Sequence, residues 1–82
     1  MKALLGFLTV ELKRALRGRD APRISDLGAA ADILFEFATE NGDAAAIGVL
    51  KDFDYIVLHY DEEPQYVDKH LEKIESAIEV IA

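Results

Sequence analysis

Val67, Leu71, Ile74, Ile78 and Ile81 recur at steps of four, three, four and three residues, the spacing that lays one apolar seam along an α-helix. The same rhythm returns at Leu5, Leu8, Leu12 and Ala15 or Leu16, and again at Leu27, Ala30, Ala31, Leu34, Phe35 and Ala38. It restricts the chain to amphipathic helices that hide one face against each other. Breakers divide the pattern: Gly18, the Asn41-Gly42 pair and Pro64. The spacing therefore predicts a compact all-α bundle of four helices, at about 2–17, 26–40, 44–60 and 64–81, forming a single domain over residues 1–82. Ser25 stands where the second helix needs an N-cap, after a linker read over residues 18–25, and Asp43 stands where the third needs one.

The third segment is the least amphipathic. Ile47, Leu50, Phe53, Val57 and Tyr60 make one stripe, while Val49, Tyr55, Ile56 and Leu58 point in other directions. A helix that apolar is central or shared between subunits. The rival reading makes residues 55–60 a strand, because most of Tyr-Ile-Val-Leu-His-Tyr is β-branched or aromatic. It has no second strand to pair with, and helix is the expectation.

A chain of 82 residues leaves a large share of its surface exposed, and such domains usually need a supplement to their core. With no cysteine, disulfides and the commonest zinc sites are excluded. Self-association is the expected supplement. Leu4, Phe7 and Val10 on the first helix, with Val49 and Tyr55 on the third, lie off the main stripes and form the expected self-association or membrane face. Lack of cysteine also fits a reducing compartment, and cytoplasmic is the default expectation. Lys2 precedes an apolar run, but Glu11, Lys13 and Arg14 cut it short, so no secretory leader is expected. No stretch reaches the ~20 apolar residues that cross a bilayer.

The net charge is −7, divided unevenly: residues 1–24 carry six basic and two acidic side chains, the remainder three basic and fourteen acidic. An acidic body excludes general nucleic-acid binding, which needs a concentrated positive surface. The basic first helix either packs on that body or meets an acidic partner or membrane. Asp32, Glu36 and Glu40 line one face of the second helix at four-residue steps. With Asp52, Asp54, Asp61, Glu62 and Glu63 they make the candidate partner-binding acidic surface, suited to a basic protein.

Residues 52–70 hold both histidines and six carboxylates, a density that raises the question of a metal or catalytic site. In an unbroken helix His59 and Glu63 would share a face, as ligands do in di-iron bundles. Pro64 pushes Glu63 out of helical angles and ends that alignment. Asp52 and Asp54 lie two apart, and such residues do not share a helix face. Phosphate-binding glycine loops are missing, and none of the hydroxyls of Thr9, Ser25, Thr39 and Ser76 has a histidine near it in sequence. No cofactor, metal or catalytic residue is expected. The cluster reads as a helix junction, with His59 favoured at one helix end and the acids at the next helix start.

These readings converge on a small, acidic, non-catalytic protein–protein interaction module, a homodimeric regulator or adaptor. An alternative is an acidic inhibitor or immunity-type protein that blocks a basic cleft on an enzyme or nucleoprotein complex. A second is peripheral membrane attachment through the first helix, with Leu4, Phe7 and Leu8 entering lipid and Lys13, Arg14 and Arg17 meeting anionic headgroups. The membrane reading is not favoured, because those basic residues gather at one end of the helix.

Overall fold

The computed structural model describes residues 1–81 and folds them into α1 (Lys2–Arg17), α2 (Ala21–Glu40), α3 (Ala44–His59), a 3₁₀ turn (Pro64–Tyr66) and α4 (Val67–Glu79). No strand occurs among them, and residues 55–59 continue α3. The four α-helices pack on one another. α3 is central, touching α1, α2 and α4.

The first two connections use one device. At the end of α1, Arg19 N–H donates to the Leu16 carbonyl at 3.2 Å and Asp20 N–H to the Ala15 carbonyl at 3.0 Å. At the end of α2, Gly42 N–H donates to Thr39 at 3.2 Å and Asp43 N–H to Ala38 at 2.9 Å. Both are Schellman closures, which require a left-handed residue just past the helix. Gly42 supplies it at φ 65°, and Arg19 supplies it at φ 51° in place of a glycine. The aspartate that completes each closure then starts the next helix. Asp20 accepts from Arg23 N–H and Asp43 from Ala46 N–H, each at 3.1 Å.

This corrects the expected start of the second helix. Ser25 is not its cap; α2 begins five residues earlier than residue 26, at Ala21, behind Asp20. Pro22 lies inside the first turn, where its missing N–H leaves nothing unpaired. The linker shrinks to Gly18, Arg19 and Asp20. The fourth helix is corrected in detail, since residues 64–66 form a 3₁₀ turn and only Val67–Glu79 is α-helical.

The stripes read on α1, α2 and α4 supply much of the core, while on α3 the buried stripe is Ala46, Val49, Leu50, Phe53 and Ile56 and the expected Ile47, Val57 and Tyr60 are only partly buried. Leu5, Leu8, Leu12 and Ala15 of α1, Ile24, Leu27, Ala31 and Ala38 of α2, and Leu71 and Ile74 of α4 are buried around Ala46, Val49, Leu50, Phe53 and Ile56 of α3. Val67, Ala77, Ile78 and Ile81 flank it. The basic first helix packs on the acidic body: Lys13 pairs with Glu75 of α4, and Lys2 Nζ reaches the Glu79 carbonyl at 3.5 Å. Thr9, buried on the same face, satisfies its hydroxyl on the Leu5 carbonyl at 2.8 Å. Gly28 of α2 packs against Val57 of α3, where a methyl group would sit 2.8 Å from Val57 Cγ1.

Candidate interaction surface

The cluster at residues 52–70 is an internal clasp. The Tyr55 ring is flanked by His59 at 4.8 Å and His70 at 4.2 Å between ring centres, and its hydroxyl donates to the Glu63 carboxylate. That hydrogen bond, helped by desolvation and the Glu63 charge, raises the Tyr55 hydroxyl above its ordinary pKa of 10.0. Glu63 in turn is fixed by its N–H, which donates to the His59 carbonyl at 2.8 Å. His59 Nδ1 lies 3.6 Å from Glu62. On the far side Asp52 lies 3.5 Å from His70 Nδ1 and 3.8 Å from Lys73 Nζ. The His70 contact is an approach and not a hydrogen bond, for Nδ1 has no bonded partner. The clasp ties the last turns of α3 to the junction and to the start of α4.

Among the described residues no three His, Asp or Glu side chains gather as a metal centre requires. An open cleft of 530 Å³, lined by Leu16, Arg19, Tyr60, Asp61, Pro64, Val67 and Asp68, holds no histidine and no hydroxyl beyond the phenol. Among the described residues no helix is long and apolar enough to cross a membrane.

The eight acids expected to act together are dispersed. Asp52 and Glu63 face the α3–α4 side, each in contact with its own partners. Asp32 and Asp54 line a small cleft between α2 and α3 with Lys51. Glu36 and Glu40 are exposed near the C-terminal end of α2, while Asp61 and Glu62 lie beyond the C-terminal end of antiparallel α3, near Arg19. They do not form one surface.

The expected apolar face is also partly corrected. Val49 is only 1% exposed, buried in the core of the single chain. Tyr55 is half-buried and held by the clasp. Leu4 at 52%, Phe7 at 60% and Val10 at 50% are exposed as read. Two residues missed in the sequence join them from α2: Ile33 at 70% and Phe37 at 57% exposure.

Helix geometry relates these positions. Leu4, Phe7, Glu11 and Arg14 follow one another at three- and four-residue steps, and so do Arg23, Asp26, Ala30, Ile33 and Phe37, giving each helix a stripe. The Arg23 guanidinium meets the Glu11 carboxylate at 3.2 Å, so the stripes border each other near the α1–α2 turn. Because the hairpin is antiparallel, both run away from that turn: Phe7 and Leu4 on α1, Ala30, Ile33 and Phe37 on α2. Leu4, Phe7, Ile33 and Phe37 are thus exposed apolar residues outside the core, on stripes of α1 and α2 that border each other near the turn.

No protein-family model, no curated protein and no solved structure matches the chain.

Proposed function

We propose that this protein is a non-catalytic interaction module, a self-associating regulator or adaptor, and that the α1–α2 face is its working surface. The observation that carries the reading is the exposure of four large apolar side chains, Leu4, Phe7, Ile33 and Phe37, on adjoining stripes. Single exposed leucines need no explanation, but contiguous apolar surface on a small protein marks a contact site. The core is complete without these side chains, so their chemistry serves something outside the single chain.

Affinity capture tests this, with wild type and Phe7→Glu/Ile33→Glu as baits at low and high salt. Both substitutions lie on exposed positions, so helicity by circular dichroism should be retained. The variant should lose the proteins that wild type recovers, including copies of the chain itself. Recovery of the same set by both baits would refute the working surface.

A further inference from the structure

We infer that the occupant of the α1–α2 face is a second copy of the same chain, seated about a two-fold axis that crosses the face. This deepens the proposed function and rests on it. The first argument is self-complementary charge. Stepping from Phe7 and Val10 along α1 leads to Arg14 and Arg17 beside the α1–α2 turn, while stepping from Ile33 along α2 leads to Glu36 and Glu40 at the opposite end. A basic corner and an acidic corner thus lie diagonally across one apolar field. A two-fold axis perpendicular to that diagonal places each copy's Arg14 and Arg17 on the other's Glu36 and Glu40, with the apolar middles in contact. An isologous dimer needs this kind of self-matching patch.

The second argument is area. Taking about 150–250 Å² for each large side chain, aliphatic or aromatic, the exposures of Leu4, Phe7, Ile33 and Phe37 correspond to roughly 350–600 Å² of apolar surface per copy. A stable interface covers about 800 Å² on each partner, so the apolar field would supply its centre and Val10, Arg14, Arg17, Glu36 and Glu40 its rim. Of the remaining charges, Asp26 is exposed on the α2 stripe beside the turn and works against close approach of an acidic side chain there. Arg23 is engaged by Glu11, and Lys2 turns toward α4. The alternative two-fold axes that stack α2 squarely on α2 bring Glu36 and Glu40 toward Asp26 of the other copy, which is unfavourable.

Charge reversal tests the proposal, using sedimentation equilibrium from micromolar to millimolar protein at low salt. Arg14→Glu/Arg17→Glu should weaken self-association at least tenfold, and so should Glu36→Lys/Glu40→Lys. An equimolar mixture of the two variants should recover the dimer, because each acidic corner then meets a basic one. Combining all four substitutions in one chain should also restore it. All six side-chain changes in these tests of charge and face are at exposed positions, and circular dichroism verifies folding. A wild type that stays monomeric, or variants that neither weaken nor complement, would overturn the dimer. So would a monomer that sediments with anionic phospholipid vesicles, whose face would then belong to a lipid surface. The capture experiment separates the failures: if Phe7→Glu/Ile33→Glu abolishes capture of other proteins while wild type is monomeric, the interaction surface stands and the second copy does not.

Discussion

Glu11 on α1 holds Arg23 on α2 at 3.2 Å, and the same carboxylate meets Arg14 one turn along its own helix at 3.5 Å. This contact marks where the outer stripes of α1 and α2 border each other. Its energetic role is small, since Arg23 is half-exposed and such pairs contribute about 0.2–1 kcal/mol. Glu11→Ala should therefore lower stability in urea by no more than about 1 kcal/mol. A double-mutant cycle with Arg23→Ala measures the pair itself; a coupling well beyond that range would give the contact a larger part than its exposure allows.

The two Schellman closures predict a gain where a glycine is added and a loss where one is removed. Arg19 holds φ 51° with a side chain that disfavours it, a conformation that costs a non-glycine residue about 1–2 kcal/mol. Glycine removes that strain but adds freedom to the unfolded chain, leaving Arg19→Gly a net gain of about 0.5 kcal/mol. Gly42→Ala should instead lose about 1 kcal/mol. Thermal or urea unfolding reads both signs.

Asp20 and Ser25 separate the observed start of α2 from the one expected of the sequence. Removing a used N-cap costs about 1 kcal/mol, so Asp20→Ala should destabilise by that amount. Ser25→Ala should be neutral or slightly stabilising, because alanine is the better residue inside a helix. Reversal of that order would place the helix start back at residue 26.

Gly28 tests the α2–α3 contact. An added methyl group meets Val57 Cγ1 at 2.8 Å, and overpacking of this kind costs about 1–3 kcal/mol against a helix-propensity gain of ~1. Gly28→Ala should be net destabilising. Combining it with Val57→Ala should cost less than the sum of the two, since the clash is then gone.

Tyr55 gives the pH dependence. Its folded-state pKa lies above the ordinary 10.0, first because Glu63 accepts its hydroxyl hydrogen bond. The folded protein then holds the phenol proton more tightly than the unfolded one. The stabilisation is complete below pH 10 and is lost as pH rises through the folded-state value. Ultraviolet titration should find a tyrosine ionising later than in the unfolded chain, and Tyr55→Phe should remove that late step.

Much of the fold was legible because it rests on local chemistry. The Leu5 to Ala15 stripe buries as spaced, the Val67 to Ile78 stripe buries Leu71 and Ile74 with its ends half-buried, and the Asn-Gly-Asp turn reads correctly because glycine is the usual left-handed residue. Arg19 gave no such signal, and Pro22 then looked like linker when it was the first turn of a helix. The candidate surface was half legible. Leu4 and Phe7 stood out on an otherwise narrow stripe, but Ile33 and Phe37 were masked by the alternation of apolar and acidic residues along α2. Their spacing of four was the signal that would have found them. Val49 misled because α3, packed on three neighbours, buries residues in several directions. Among the acids, Asp32, Glu36 and Glu40 were read from their spacing along α2 and the rest from closeness around the helix junction, where Asp52 and Glu63 take partners within the chain.

The central claim is that a second copy of the chain covers the α1–α2 face, and the mass of the wild-type protein in solution tests it most directly. One chain has a mass of 9.1 kDa. Sedimentation equilibrium should show twice that mass at high concentration, dissociating on dilution, with Phe7→Glu/Ile33→Glu fixed at the single-chain mass under the same conditions. A wild type that keeps the single-chain mass from micromolar to millimolar concentration would contradict the account.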